Sequence, residues 1–387
     1  MKKITFAFLF SATTFYSLAQ LPAASGTNKE GSQYQFSVVK ELDHTGVKNQ
    51  FHSGTCWCFS AQSFLESELM RMGKGEYDLS EMYIVRCAYL EKAENYIRWN
   101  GKCNFGPGGE PHDVMAMIKK YGLMPKSAYP GNVNDLGKPE HNEMDAVLKA
   151  MLDEMLKTPD GKLSPRWKDA FQGALDGYMG AVPAEFEYDG KKYTPLSFAK
   201  MLGINPDDYV EITSFTHHPF YAPFVIEIPD NWMLGQAYNV PLDELQQIAE
   251  SAVKSGYSIE WASDVSEKTF SYKNGIALVP AKNWDDMKQS ERDSLWIVPT
   301  KEKTITQAMR QESFDNLTTT DDHGMHITGL ATAQNGTEFF MVKNSWGTDN
   351  PMNGYFYCSM PFFLYKTTGI MVNKNAIPAA IRKKLGI

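Results

Sequence analysis

The stretch Asn49-Gln50-Phe51-His52-Ser53-Gly54-Thr55-Cys56-Trp57 puts a carboxamide six residues before a cysteine, and that cysteine opens an amphipathic run over 56–72. A thiol at a helix N-terminus ionises more readily because the helix dipole favours the anion. An amide donor just upstream can fold back to the same point, which suits a sulfur nucleophile with an oxyanion donor beside it. An isolated cysteine there would read more simply as a packed helix-start residue. Two distant segments change that. His323 lies in Asp321-Asp322-His323-Gly324-Met325-His326, before an apolar run over 327–332, and Asn344 lies in Lys343-Asn344-Ser345-Trp346-Gly347. Between them, Gln334-Asn335-Gly336-Thr337 predicts a hairpin turn. A two-residue loop at Asn335-Gly336 would set Asn344 opposite Ile327, four residues from His323, so a wider loop or a bulge must restore the register. Cysteine, histidine and asparagine then supply a nucleophile, its proton acceptor and an orienter for the imidazole.

Val47-Lys48-Asn49-Gln50, Cys56-Trp57, Asp322-His323 and Asn344-Ser345-Trp346-Gly347 occur in the order of the papain-like cysteine peptidase motifs, and the chain resembles that family. The resemblance implies an α+β, two-lobed fold: a helical lobe carrying the cysteine and a β-barrel-like lobe carrying the histidine and asparagine. Leu79-Ser80-Glu81, Cys87 and Gly108-Gly109 resemble the segment that lines the substrate cleft in that family. One departure is that Ser53-Gly54-Thr55-Cys56-Trp57 stands where papain-type enzymes carry Cys-Gly-Ser/Ala-Cys-Trp, which removes one characteristic disulfide. The histidine follows the cysteine by 267 positions rather than the usual ~130–150, implying an insertion of about 120 residues. The bleomycin hydrolase, or aminopeptidase C, branch has such an insertion. The likeness continues through Pro229-Asp230-Asn231-Trp232 and Gly256-Tyr257-Ser258-Ile259-Glu260-Trp261-Ala262.

By resemblance, Cys56, His323, Asn344 and Gln50 are the catalytic set, with cleavage through a thioester on Cys56. Cys56 and His323 are expected as a thiolate–imidazolium pair. Trp346 is expected to shield the His323–Asn344 bond, and Trp57 supports the nucleophile. Backbone groups at Gly108 and Gly109 are expected to pair with an extended substrate, with Glu110 and Asp322 nearby. Glu110 reads either as a contact to a substrate amino group or as a solvated loop residue. Relatives of this branch trim amino termini because their C-terminal arm fills part of the cleft, and they form hexameric rings. The arm here looks shorter, so an open-cleft endopeptidase stays possible, as do a thiol acyltransferase and a non-enzymatic binding protein. No cofactor is implied.

Composition fits a globular enzyme: 43% apolar and 22% charged residues rule out a largely disordered chain. A net charge of −8 argues against a general nucleic-acid binder and leaves peptides as the expected partners. Met1-Lys2-Lys3, an apolar stretch over 4–10 and Ser17-Leu18-Ala19 read as a bacterial export signal over 1–19, too short for stable membrane insertion, giving a periplasmic or extracellular protein. A helical lobe is expected over 20–138, an insertion over 139–235 and a β-rich lobe over 236–387. Helices are expected over 56–72, 80–93, 111–121, 167–179 and 242–255, with helical spacing also over 144–152. Of the other four cysteines, Cys58 and Cys358 read as packed. Cys87 and Cys103 resemble disulfide positions of the family and could pair with each other. A zinc site from Cys56, Cys58, His323 and His326 lacks a usual ligand spacing.

Overall fold

How the cysteine and the histidine come to line one cleft is a question of how one long helix lies on one long strand. The computed structural model describes residues 26–131, 137–158 and 161–387; the stretch 1–19, expected as an export signal, lies outside them. In chain order come β1 (Phe36–Glu41), α1 (Cys56–Arg71), α2 (Glu81–Arg98), α3 (Pro111–Tyr121), α4 (Asn142–Met155), α5 (Trp167–Met179), β2 (Phe186–Tyr188), β3 (Lys191–Tyr193) and α6 (Pro195–Leu202). Then follow β4 (Tyr209–Thr213), β5 (Pro223–Val225), β6 (Gln236–Asn239), α7 (Leu242–Lys254), β7 (Ile259–Ser263), β8 (Phe270–Ser271), β9 (Ile276–Ala277), α8 (Gln289–Ser294) and α9 (Gln307–Asp315). The chain closes with β10 (His323–Ala333), β11 (Glu338–Lys343), β12 (Tyr355–Ser359), α10 (Met360–Lys366), β13 (Thr367–Asn373) and α11 (Ala379–Leu385).

The elements divide into two layers around separate cores. One core joins α1 to α6 through Phe64, Leu65, Ile84, Val114, Leu148 and Phe198. The other lies under the main sheet, where Leu245, Trp261, Ile327, Phe340, Phe356 and Ile370 pack with α7 and α11. The sheet runs β5-β6-β4-β13-β7-β10-β11-β12-β9-β8, with β1 added along β10. α1 lies across β10 and β7, on the seam between the cores. It is buried nearly all round, from Trp57 to Leu69, as a helix between two layers must be. Its own polar residues are therefore paired inward. Glu66, which burial raises above the usual carboxylate range, accepts from Lys48 Nζ at 2.8 Å and Thr45 Oγ1 at 2.5 Å.

α3 and α5 fall on their expected bounds. Pro111 at the first helical position and Gly122 after the last residue mark α3 plainly. α2 runs on to Arg98, past the expected end near Ala93, because Tyr96 and Ile97 continue the packed face. Residues from outside the expected β-rich stretch also join the sheet: β1, β5 at the edge beside β6, and β4, which pairs with β13 from Tyr209 to Ile212. All five cysteines are free, so Cys87 and Cys103 do not pair. Cys103 lies against Asn95, eight residues or about 12 Å further along α2 than Cys87, beyond disulfide reach.

Candidate active site

Cys56 is the first residue of α1, with Thr55 in the capping position and a half-buried side chain. The turn into the helix needs Gly54, which has φ +62° and whose absent Cβ would lie 2.7 Å from Pro107 Cγ. Trp57 ties the same two loops by donating from Nε1 to the Pro107 carbonyl at 2.9 Å. On the facing strand, Gly324 lets β10 approach α1: a Cβ there would meet Ser60 Oγ at 2.7 Å and Trp57 Cα at 3.1 Å. Gly324→Ala should therefore push His323 away from Cys56. The expected cost is about 1–3 kcal/mol of stability, with a larger fractional loss of activity than of folded protein; unchanged kcat would refute this reading of the seam.

The β10–β11 hairpin achieves its register by both routes the sequence allowed. The loop is wider than two residues, with Ala333 and Thr337 closing it, and a bulge falls between Ile327 and Gly329. His323 Nε2 then lies 2.7 Å from Asn344 Oδ1. That contact occupies Nε2 and leaves Nδ1 as the free ring nitrogen. Trp346 stacks on the imidazole with centroids 4.4 Å apart. His326, three residues on, points to the opposite face of the strand, where its Nδ1 meets Ser63 Oγ at 2.8 Å. Gln50 is joined to the asparagine loop twice. Its backbone N–H donates to the Ser345 carbonyl at 2.8 Å, and its Oε1 accepts from Ser345 Oγ at 2.6 Å. With Oε1 held, Nε2 is the donor that remains, and Gln50 lines the cleft beside Cys56.

Burial opposes an isolated charge on either partner. It pushes the Cys56 thiol up to about 12, against the backbone N–H groups of Gly324 and Trp57, which pull it down. It pushes His323 down to about 4, although Asn344 and Asp322 act the other way. Burial thus disfavours either charge alone, and the expected thiolate–imidazolium pair requires that one proton move between sulfur and ring. Each charge offsets the desolvation of the other only when both form together.

These groups open into a cleft of about 350 Å³. Gly108 and Gly109 form part of its wall, and neither has room for a side chain. A Cβ on Gly108 would collide with the Asp230 carboxylate, and one on Gly109 would lie 2.7 Å from Asp113 Oδ2. Trp232 Nε1 also donates to Asp113 Oδ2 at 2.5 Å, and Lys92 Nζ bonds the Gly106 and Gly108 carbonyls, which fixes the strip. Asp322 faces outward at the rim and accepts from the Val265 and Ser266 N–H groups at 3.2 and 3.0 Å. Glu110 departs from the solvated-loop reading: it is 6% exposed and lines the cleft. The sequence reading also missed Asp321 and Glu260 as cleft residues. Nothing in their motifs marked them as inward-facing, although both stood in segments that the family resemblance covered.

The conceivable zinc set does not assemble among the described residues. Cys58 Sγ donates to the Glu81 carbonyl at 3.3 Å, and His326 lies outside the cleft. Glu66, Asp78 and Glu81 do converge, but Lys48 Nζ sits among them at 2.8, 2.7 and 2.6 Å.

Comparison with known proteins gives two matching family profiles. "Peptidase C1-like family" covers residues 184–386 and "Papain family cysteine protease" covers 35–165. Similar curated proteins include Aminopeptidase C of Lactobacillus delbrueckii subsp. lactis, 25% identical over 90% of this chain and 83% of that one. Aminopeptidase C of Listeria monocytogenes serovar 1/2a is 26% identical over 95% and 88%. Among solved structures, PepW of Lactobacillus rhamnosis HN001 matches with a TM-score of 0.71 at 22% identity, over 90% of this chain and 84% of that one.

Proposed function

Because the chain belongs to the Peptidase C1-like family and is a cysteine peptidase, we propose that it removes residues from free amino termini of peptides, using Cys56, His323, Asn344 and Gln50. The thiol proton passes to His323 Nδ1 as sulfur attacks the scissile carbonyl. Gln50 Nε2 and the Cys56 backbone N–H stabilise the oxyanion. The C–N bond then breaks, and His323 returns its proton to the leaving amine. Water, deprotonated by the same imidazole, cleaves the thioester and regenerates the thiol. Asn344 holds the ring so that Nδ1 faces sulfur through both halves of the cycle. The observation that carries this reading is the 2.7 Å His323–Asn344 contact beneath Trp346, in the cleft that Cys56 lines.

The preference for free amino termini is supported by relatives named Aminopeptidase C that match over most of their length. No residue of 374–387 lines the cleft. Ile381 and Leu385 of α11 are packed in the sheet core instead, and Lys384 bonds Glu244 of α7. Asp230, from the stretch expected as the insertion, does line it. The test compares a leucine aminomethylcoumarin amide with its N-acetyl form and with an acetylated tetrapeptide. The free amine should be cleaved and the acetylated substrates left intact. Exclusive cleavage of the acetylated tetrapeptide would replace the exopeptidase reading with an endopeptidase, leaving the four-residue assignment standing.

A further inference from the structure

The walls of the cleft are more acidic than hydrolysis requires. Glu110, Asp230, Glu260, Asp321 and Asp322 all line it, and no lysine or arginine does. Two of these carboxylates are buried and incompletely satisfied. Glu110 is 6% exposed and Glu260 is 0% exposed, and Glu110 Oε1 and Glu260 Oε2 meet no hydrogen-bond donor among the described residues. The nearest cations are already engaged behind the wall. His112 Nδ1 lies 3.0 Å from Glu211 Oε1 and its Nε2 lies 3.3 Å from Asp113 Oδ1, while Lys92 holds the Gly106 and Gly108 carbonyls. Buried acceptors without donors are costly unless a ligand brings the donor.

We propose that this wall, centred on Asp321 and Glu110, is the receptor for a primary ammonium group of the substrate. An ammonium carries three donors and no acceptor, which complements a pocket of unpaired carboxylate oxygens. The backbone places it well. In a peptide cleaved after its first residue, the α-nitrogen lies only about 2.5 Å from the reacting carbonyl carbon. It therefore sits beside the nucleophile, between the Gly109–Glu110 strip and the Asp321–His323 strip. Asp321 already bears on Cys56 electrostatically, which places it within range of that position. A lysine side chain one residue upstream offers the same chemistry from a longer reach. The inference rests on the aminopeptidase reading for its first source and not for its second.

The charge state follows from what faces Asp321. Burial raises it to about 6, a hydrogen bond with Glu110 and another with Thr368 of β13 lower it, and Asp230 and Asp322 raise it. Burial and Asp321 together raise Glu110 far above the usual range, with Glu211 of β4 and Asp113 adding to this. Side by side and buried, Glu110 and Asp321 resist carrying two negative charges together, which an arriving cation relieves. Glu260 of β7 is also held well above its usual range by burial, while Glu211 and Asp113 hold His112 up at about 9 against its burial. As pH falls through about 6, Asp321 gains a proton and the receptor loses its charge. As pH rises through ~7.7–8.0, a peptide α-ammonium loses its own.

The experiment measures kcat/KM for Leu-aminomethylcoumarin, its N-acetyl form, acetyl-Lys-Leu and acetyl-Leu-Leu aminomethylcoumarins, in wild-type protein, Asp321→Asn and Glu110→Gln. Far-UV circular dichroism and the rate of Cys56 alkylation by iodoacetamide report on fold and nucleophile. Asp321→Asn should lower the ratio of ammonium-bearing to matched neutral substrate by about 10- to 100-fold, mainly through KM. Loss confined to the free-amine ratio assigns the α-ammonium; loss confined to the acetyl-Lys ratio assigns the side chain. In wild-type protein the free-amine ratio should peak between about pH 6 and 8, a measurement that needs no variant. If both ratios are unchanged in both variants and flat with pH, the receptor is refuted, even if wild type prefers free amines. A wild-type preference for acetyl-Leu-Leu over Leu would instead refute the aminopeptidase reading while leaving the acetyl-Lys comparison decisive for the receptor.

Discussion

Cys56→Ala should abolish peptide hydrolysis while leaving the protein folded. Loss of a nucleophile in a hydrolase of this kind costs on the order of 10⁴–10⁶ in kcat. The fold should survive because Cys56 is half-buried at the helix start and is absent from the core that contains its neighbours Trp57 and Cys58. The His323–Asn344 contact and the Trp346 stack do not depend on the sulfur. The control is Cys58→Ala, two residues on. Cys58 is fully buried and bonds the Glu81 carbonyl. Its loss should cost about 1–2 kcal/mol of stability through a small cavity, with activity falling only as folded protein is lost. Release of aminomethylcoumarin over hours, with thermal melting of each variant, separates the two. Turnover by Cys56→Ala above the buffer rate would defeat the nucleophile assignment. Because burial holds His323 at about 4, the dyad should keep its single mobile proton across the neutral range. A loss of kcat on the acid side should therefore fall well below pH 6 for a neutral acetylated peptide, if that is turned over.

How much of this was legible beforehand depended on whether a residue's role was local. Pro111 and Gly122 mark α3 from within the helix's own sequence, and the fold placed it as read. The meeting of His323 and Asn344 was also local in a useful sense. It turns on one hairpin, and the register arithmetic showed that a correction was required; the wider loop and the bulge near Thr328 supply it. Glu110 was different. Flanked by glycine, proline and histidine it resembled a solvated turn, and only the approach of Asp321, 211 residues away, makes it part of a buried wall. Glu260 sits on β7 in the run 259–263, every residue of which is buried, so strand alternation gave no hint of which face meets the cleft. The addition of β1 and β4 to the sheet was invisible for the same reason, since short strands find partners by tertiary contact. The Cys87–Cys103 pairing came from resemblance alone, and the length of α2 between their surroundings prevents it.

Gln50→Ala should lower kcat by about 10²–10³-fold, or about 2.7–4 kcal/mol of transition-state stabilisation, with a small change in KM. The amide contacts charge that exists only after attack, so its loss falls on the barrier rather than on binding. The alanine variant alone would be ambiguous, because it also leaves Ser345 Oγ without its 2.6 Å acceptor and so costs about 1–3 kcal/mol of stability. Gln50→Glu resolves this: it keeps an acceptor for Ser345 and the shape of the side chain, but replaces the donor with a negative charge facing the oxyanion. It should lose at least as much kcat as alanine while melting closer to wild type. Ser345→Ala is the complementary change. It leaves the donor in place and frees the amide to rotate, so a smaller loss of about tenfold is expected, the amide now spending part of its time with oxygen toward the cleft. The ordering, Glu at or below Ala and both below Ser345→Ala, follows from the one bond that fixes which end of the carboxamide faces sulfur. If Gln50→Glu retained wild-type kcat, the oxyanion would have to be held by backbone N–H groups at the start of α1 alone.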